Sequence, residues 1–561
     1  MKSLQYIFIL FLLLIFVAVN AEAKPIIAGF GAEGGEEHLK NYVKYGLNTQ
    51  FLCVRIAPQM ELSLDENGRV TGQMSDEKRQ GYIDRAKLAE KHGIDFYLVT
   101  AYFEEYIKQL EGLGGFTKAF VQGPTRYISP GEKAAPGPLE ERYWLGQLLC
   151  EAKFAAELSN ICPNVKGLLV DVEMYAGDMM WRSNSSFDDQ TFRAVIDRMR
   201  ERNLLAKDLN PGVAREKRYE WLAENKLLET YFSIERELVT EIARRFRKEI
   251  DAINPDFQLG MLPYEDNWFC HGWIKGLASE RTAVLVCSES EYSPGFTPSV
   301  PATVTQLKKL GVNFRYMPGL FFLKHSPKQI AIQARRCLDA VDGYWLFTTY
   351  SLWQPEPEKL QGAYLIQTDR QQYWDALGSA NSGKISAGSD ERYTCPGYVL
   401  LTNNEYYPGP KLELPLKATY GSEPDVVFFG DPEKTKLFDG AEKEAFSTVA
   451  WHAKADQEIS VVVDLSKPLL IERLRLDAGH ILSYYPSVVD GSIDIMTSID
   501  GKMYYSITTE TFLEGRGKST PDMDYDKLGI RARYIKIVMK AKHVTEHSVW
   551  AISELAVWGT P

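Results

Sequence analysis

The chain is poor in the residues that build metal centres and disulfide frameworks. Its 561 residues hold seven cysteines and eight histidines. Cys53, Cys150, Cys162, Cys270, Cys287, Cys337 and Cys395 are scattered, and none forms a Cys-x-x-Cys pair. That speaks against a zinc ribbon and a dense disulfide scaffold, and most of the thiols are expected to be buried. No His-x-His or His-Glu-x-x-His occurs, so His271 and His325 read as structural. Gly-x-Ser-x-Gly is missing, which removes the common serine-hydrolase elbow. A Walker-type phosphate loop is missing too, and the glycine-rich turn Gly29–Gly35 after the first expected strand reads as off the Gly-x-Gly-x-x-Gly spacing, a weak nucleotide signal. Positive charge is in deficit: Lys and Arg total 64 against 75 Asp and Glu, a net charge of -11. That disfavours nucleic acid and anionic membranes as partners and leaves neutral glycans open.

Long apolar runs are absent beyond the N-terminus. Leu4 to Val19 are almost wholly apolar, follow Lys2 and precede Ala21-Glu22-Ala23, a small-x-small cleavage site. Residues 1–23 are expected to be a cleaved secretory signal peptide, giving a secreted or periplasmic protein with no transmembrane segment. A membrane anchor is the alternative, but the run is short for a span and no basic stop follows it.

What the chain does have is Val165-Lys166-Gly167-Leu168-Leu169-Val170-Asp171-Val172-Glu173-Met174-Tyr175, an apolar run ending in two carboxylates. On a strand Asp171 and Glu173 face the same way, their Cα atoms about 6.5 Å apart. Acids beside Leu and Val are costly unless paired or put to use. Two close carboxylates push their pKa values apart, so one holds a proton while the other stays charged. Glycosidic bond cleavage needs such a pair. The plainer reading is an Asp-x-Glu that only ends a strand.

Apolar strands and amphipathic helices alternate from residue 25 to about 380. Strands are expected at Pro25–Phe30, Thr49–Ile56, Asp95–Ala101, Lys166–Val172, Gln258–Pro263, Ala283–Cys287, Asn313–Met317 and Tyr344–Thr348. Eight strand–helix units read as a (β/α)₈ TIM barrel over 24–380, with a doubly wound open sheet as runner-up. Residues 381–415 turn rich in Gly, Ser, Asn and Pro and read as a linker with some packed structure. Period-two strands then dominate 416–561, which reads as an all-β sandwich.

In such a barrel the site lies at the C-terminal ends of the strands. Acids and aromatics gather there in the sequence: Asp171, Glu173, Tyr175 and Trp181 after the fourth strand, and Tyr264, Glu265 and Trp268 after the fifth. Glu289, Glu291 and Tyr292 follow the sixth, Tyr316 marks the seventh, and Trp345 and Trp353 the eighth. Aromatic faces stack on sugar rings, and acids transfer protons and bind hydroxyls.

The segment Lys166 to Glu173 resembles the fourth-strand motif of glycoside hydrolase barrels in the family 18 (chitinase-like) and family 25 (lysozyme-like) groups. The former reads Asp-Gly-x-Asp-x-Asp-x-Glu, and its last Glu is the general acid. Lys166 and Leu169 replace the first two acids, and the Asp-x-Glu remains. Met261-Leu262-Pro263-Tyr264-Glu265 more loosely resembles the Met-x-Tyr-Asp of that group, on a different expected strand. The tail resembles the discoidin-type (galactose-binding-like) module in Leu437-Phe438-Asp439-Gly440, Val463-Asp464-Leu465, Ser498-Ile499-Asp500-Gly501 and Ile552-Ser553-Glu554-Leu555. That resemblance implies a carbohydrate-binding module, in which Asp439 and Glu554 would ligate a structural Ca²⁺.

The expectation is a secreted glycoside hydrolase acting on a poly- or oligosaccharide and needing no cofactor for catalysis. Glu173 is the proposed general acid, and Asp171 orients substrate or supports charge at the ring. Glu265, Glu289 or Glu291 is the second carboxylate, Glu289 first. The alternative is a glycan-binding or cell-surface protein without turnover, on a decayed barrel.

Overall fold

The structure is a computed structural model that describes residues 24–31, 35–54, 56, 59–100, 104–123, 130–172, 186–206, 208–263, 268–289, 292, 299–385, 394–402, 404, 407, 409–424, 431, 433–439, 448–477, 490–512, 523–544 and 549–561. The proposed signal peptide lies outside them. No described helix is long and apolar enough to cross a membrane.

Eight strands close into a parallel barrel: β1 Ile26–Gly31, β2 Thr49–Val54, β3 Asp95–Thr100, β4 Val165–Asp171, β5 Gln258–Leu262, β6 Val284–Ser288, β7 Phe314–Phe321 and β8 Gly343–Phe347. Each is followed by at least one helix before the next, and β8 pairs with β1 through Ile26 and Gly343. All eight expected strands are present, with ends shifted by a few residues. Val, Leu, Ile and aromatic side chains fill both faces of these strands, the pattern a parallel sheet under helices demands.

Closure excludes the open sheet. Gly29, Gly31 and Gly34 do carry the Gly-x-Gly-x-x-Gly spacing of dinucleotide loops. Gly29 and Gly31 nevertheless belong to β1 itself. A Cβ at Gly29 would lie 1.9 Å from the Tyr42 hydroxyl, so this glycine lets the helix Gly35–Tyr45 pack on the strand.

Helix ends follow local sequence. The helix Pro327–Ala340 starts behind Ser326, which accepts from the Gln329 N–H while Gln329 returns the bond to the Ser326 N–H. Proline at its first position already has helical φ. The helix Arg370–Asn381 returns to the barrel and stacks Trp374 on Tyr45 at 5.2 Å. Two hairpins interrupt the barrel rhythm, Met60–Leu64 with Val70–Met74 and Lys118–Val121 with Gly131–Pro136.

The C-terminal part is antiparallel. Its strands are β9 Val399–Leu400, β10 Ala418–Tyr420, β11 Val449–His452, β12 Glu458–Asp477, β13 Asp490–Ser498, β14 Tyr505–Phe512, β15 Met523–Tyr525, β16 Ile530–His543, β17 Val549–Ile552 and β18 Glu554–Thr560. The large sheet runs β9-β18-β12-β16-β13-β14, with β10 and β15 also on β12, and β11 pairs with β17 in a second sheet. Strand β12 joins two expected strands through an irregularity between Asp464 and Leu469. Val399 and Leu400 come from the segment that reads as linker, yet they pair with Gly559 and Trp558 of the last strand. No disulfide joins the seven cysteines, four of which are buried.

Candidate active site

Strand parity brings two acids to the barrel mouth. Leu169 of β4 and Cys287 of β6 pack in the barrel interior. Side chains alternate along a strand, so Asp171 and Glu289, two residues further on, turn inward one layer higher. Glu289 follows β6 directly, and its N–H donates to Pro263 O at 3.1 Å, which prolongs the pairing with β5. Asp171 is half-buried, whereas Glu289 is 4% exposed. With β5 between them their backbones are two strand spacings apart, about 10 Å, so both carboxyls can reach one guest.

Aromatic rings form the facing wall. Tyr292 lies 5.2 Å from Phe321 and 5.6 Å from Phe347, ring centre to ring centre, and Phe30 lies 5.4 Å from Phe347. Gly319 makes room for them: a Cβ there would meet Trp345 at 2.7 Å and Tyr292 at 2.8 Å. The end of β8 is tied to β1, with Thr348 Oγ1 and Thr349 N donating to Phe30 O at 3.0 and 2.9 Å. Below the acids the floor is neutral. Burial pushes the Cys287 thiol and the Tyr97 phenol above their ordinary ranges.

Among the sequence-marked residues, Glu173, Tyr175, Trp181, Tyr264, Glu265 and Glu291 lie outside the described residues. Asp171 and Glu289 are brought to one mouth. Three aromatic expectations are corrected. Tyr316 is 0% exposed and packs outward under the helices. The reason is that β7 continues through Pro318-Gly319 to Phe321, so Tyr316 sits low in the strand. Its neighbour Arg315 donates to Lys24 O at 2.8 Å, at the opposite end of the barrel. Trp345 points inward but is 0% exposed, a packed floor rather than an open platform. Trp268 is buried against Phe232 and Phe269. Trp353 is half-buried, 5.1 Å from Tyr350, which in turn lies 5.2 Å from the exposed Tyr364. Phe30 and Phe321 did not stand out in the sequence as site residues. Their signal was inward parity at strand ends, legible only once the ends were fixed.

Other ionisable groups are buried away from the mouth. Burial raises the Glu151 carboxyl to about 8, and drives His38 down to about 3. Asp188 is raised to about 6 by burial, against the pull of the Thr191 N–H. Glu235 is raised well above the carboxylate range for the same reason.

Among the described residues no three His, Cys, Asp or Glu side chains gather as a metal-binding group. Asp439 follows the turn Lys436–Phe438, which packs against β18, the strand that Glu554 opens. Two carboxylates on adjoining elements suit Ca²⁺. Opposing this, Lys436 lies close enough to Asp439 for their charges to interact.

Fold and mouth define a closed eight-stranded parallel barrel with inward acids, joined to an antiparallel β-sandwich. No protein-family model and no curated protein sequence matches the chain. Solved structures similar to part of it include CpGH89CBM32-5 of Clostridium perfringens in complex with GalNAc-beta-1,3-galactose. It is 21% identical with a TM-score of 0.20, covering 25% of this chain and 94% of that one. The C-terminal domain of a Bacteroides fragilis chitobiase gives 21% identity and a TM-score of 0.20, over 26% of this chain and 93% of that one. The family 32 CBM of C. perfringens NanJ, in complex with galactose, gives 18% and 0.19, over 26% and 93%. Scores at this level leave function to be argued from the site itself.

Proposed function

We propose that the protein is a secreted glycoside hydrolase of the TIM-barrel type, cleaving O-glycosidic bonds of a poly- or oligosaccharide by carboxylate acid/base chemistry. What supports this reading is strand parity, which turns Asp171 and Glu289 toward the interior where Leu169 and Cys287 pack, at the end of the barrel where Phe30, Tyr292, Phe321 and Phe347 cluster. A sugar ring presents hydroxyls to carboxylates and an apolar face to aromatic rings. Glu173, two residues past Asp171, is the general acid, and Asp171 orients substrate or supports charge at the ring. Glu289 is the first choice as second carboxylate, ahead of Glu265 and Glu291; it follows β6 directly and is buried. The sandwich is read as a carbohydrate-binding module with a structural Ca²⁺ at Asp439 and Glu554.

The test is release of reducing sugar from a panel of glycans by the full chain and by Glu173→Gln. Turnover that collapses in the variant supports the assignment. Glycan binding without turnover in the parent would put the non-catalytic alternative in its place.

A further inference from the structure

Five buried oxygens converge beside the helix Leu228–Asp251, away from the catalytic mouth. They are Ser186 Oγ, Asp188 Oδ2, Thr191 Oγ1 and both carboxyl oxygens of Glu235, and none makes a well-formed hydrogen bond. Ser186, Thr191 and Glu235 are 0% exposed and Asp188 is 1% exposed. Their proximity follows from the contacts around them. Tyr231 donates from its hydroxyl to Ser186 O at 2.8 Å, and Glu235 lies one helical turn after Tyr231, on the same face. Ser186 lies alongside Glu235, and Thr191 alongside Asp188, near enough to temper each carboxyl's burial. Asp188 Oδ1 caps the helix Asp189–Glu201 by accepting from Thr191 N at 2.8 Å, which leaves Oδ2 for another partner.

Burying two carboxyl groups with only neutral hydroxyl and amide neighbours beside them is expensive. The nearby cation, Arg218, is engaged elsewhere: it donates to Phe187 O at 2.6 Å and pairs with Asp189. The donor set is all oxygen, two carboxyls and two hydroxyls on three structural elements, which is the chemistry of a hard divalent ion. A cavity of about 510 Å³ lined by Asp188, Lys118, Glu132, Gln190, Arg193 and Arg215 adjoins the cluster. Of the four residues only Asp188 lines it, so an ion would approach from that side.

We propose that Ser186, Asp188, Thr191 and Glu235 bind a divalent cation of the Ca²⁺ type, which pins the segment returning from β4 to the helix Leu228–Asp251. This site is separate from Asp439 and Glu554 and does not depend on the glycosidase reading.

The test uses the purified full chain carrying Asp439→Ala, so that an ion held by the sandwich does not contribute. Isothermal titration with Ca²⁺ should show one site per chain. Ca²⁺ in hundredfold excess over its Kd should raise the melting temperature by roughly 5 °C relative to chelator. Adding Glu235→Gln, which keeps the shape and removes the charge, should abolish both signals while the chain still melts cooperatively in chelator. No binding and no shift in the Asp439→Ala chain would overturn the proposal. So would undiminished Ca²⁺ binding after Glu235→Gln. A Glu235→Gln chain that melts above its parent in Ca²⁺ would show that protons, not a cation, occupy the cluster.

Discussion

Asn404 donates from its side-chain amide to the carboxylate of Glu554, across 150 positions of sequence. The same amide reaches Leu555 O at 3.1 Å, and Thr402 Oγ1 donates to Asn404 Oδ1 at 2.6 Å. Glu554 is 1% exposed, so this contact supports a buried acid. It also makes Val399, Leu400, Thr402 and Asn404 part of the sandwich rather than a tether. A fragment 394–561 should therefore melt higher than a fragment 416–561, which lacks β9 and Asn404. Asn404→Ala should cost about 1–3 kcal/mol by leaving Glu554 without that donor. Equal melting temperatures for the two fragments would contradict this.

The proposed general acid has a kinetic signature. Glu173→Gln keeps the shape and removes the transferable proton, so kcat should fall on the order of 10²–10⁴-fold with the fold intact. The loss should be smaller on substrates with a good leaving group. An unchanged kcat would dispose of the assignment.

If Glu289 is the second carboxylate, its distance from Glu173 sets the stereochemical outcome. A nucleophile needs carboxyl groups about 5–5.5 Å apart and retains the anomeric configuration, whereas a gap of about 6.5–9.5 Å admits a water and inverts it. Product configuration by NMR separates the two. Full activity in Glu289→Ala would remove Glu289 from catalysis. If no acid from the fifth or sixth strand comes near Glu173, substrate assistance by an acetamido group with Asp171 and Tyr264 becomes the better mechanism.

Glu151 should tune stability with pH. It lies in the first turn of the helix Leu148–Ile161, and burial lifts its pKa from 4.5 to about 8. Below about pH 4.5 both folded and unfolded chains hold the proton. Between about pH 4.5 and 8 only the folded chain does, so ionisation favours the unfolded state. Stability should fall across that window by a few kcal/mol, on the order set by the shift, and level off above it. Glu151→Gln should flatten the profile and raise the urea midpoint at about pH 8 but not at about pH 4. A parental slope retained in the variant would place its origin elsewhere.

Calcium at the sandwich is tested by chelator. If Asp439 and Glu554 ligate Ca²⁺, binding to the folded state alone stabilises it by RT ln(1 + [L]/Kd). Fragment 394–561, which lacks the Glu235 cluster, should melt lower in chelator, and Asp439→Ala should erase the difference. A melting curve indifferent to chelator removes this ion.

The sequence by itself determined the eight barrel strands and the change to antiparallel strands after residue 416. Continuous apolar runs flanked by helical periodicity have few other solutions at this length. It also marked Asp171 and Glu289, as acids at the C-terminal ends of expected strands, the end where a parallel barrel gathers its loops. Only tertiary structure decided the rest. The end of β7 was hidden by Pro318-Gly319, which reads as a stop but continues the strand, so Tyr316 became core and Phe321 became rim. Trp345 lost its open face because Tyr292 and Phe30 pack on it. Asn404 joined the sandwich through a partner 150 positions away. Burial at Glu151, Asp188 and Glu235 left no mark in local pattern, because it depends on which helices pack over each carboxyl, and pairing between distant elements is not written in spacing.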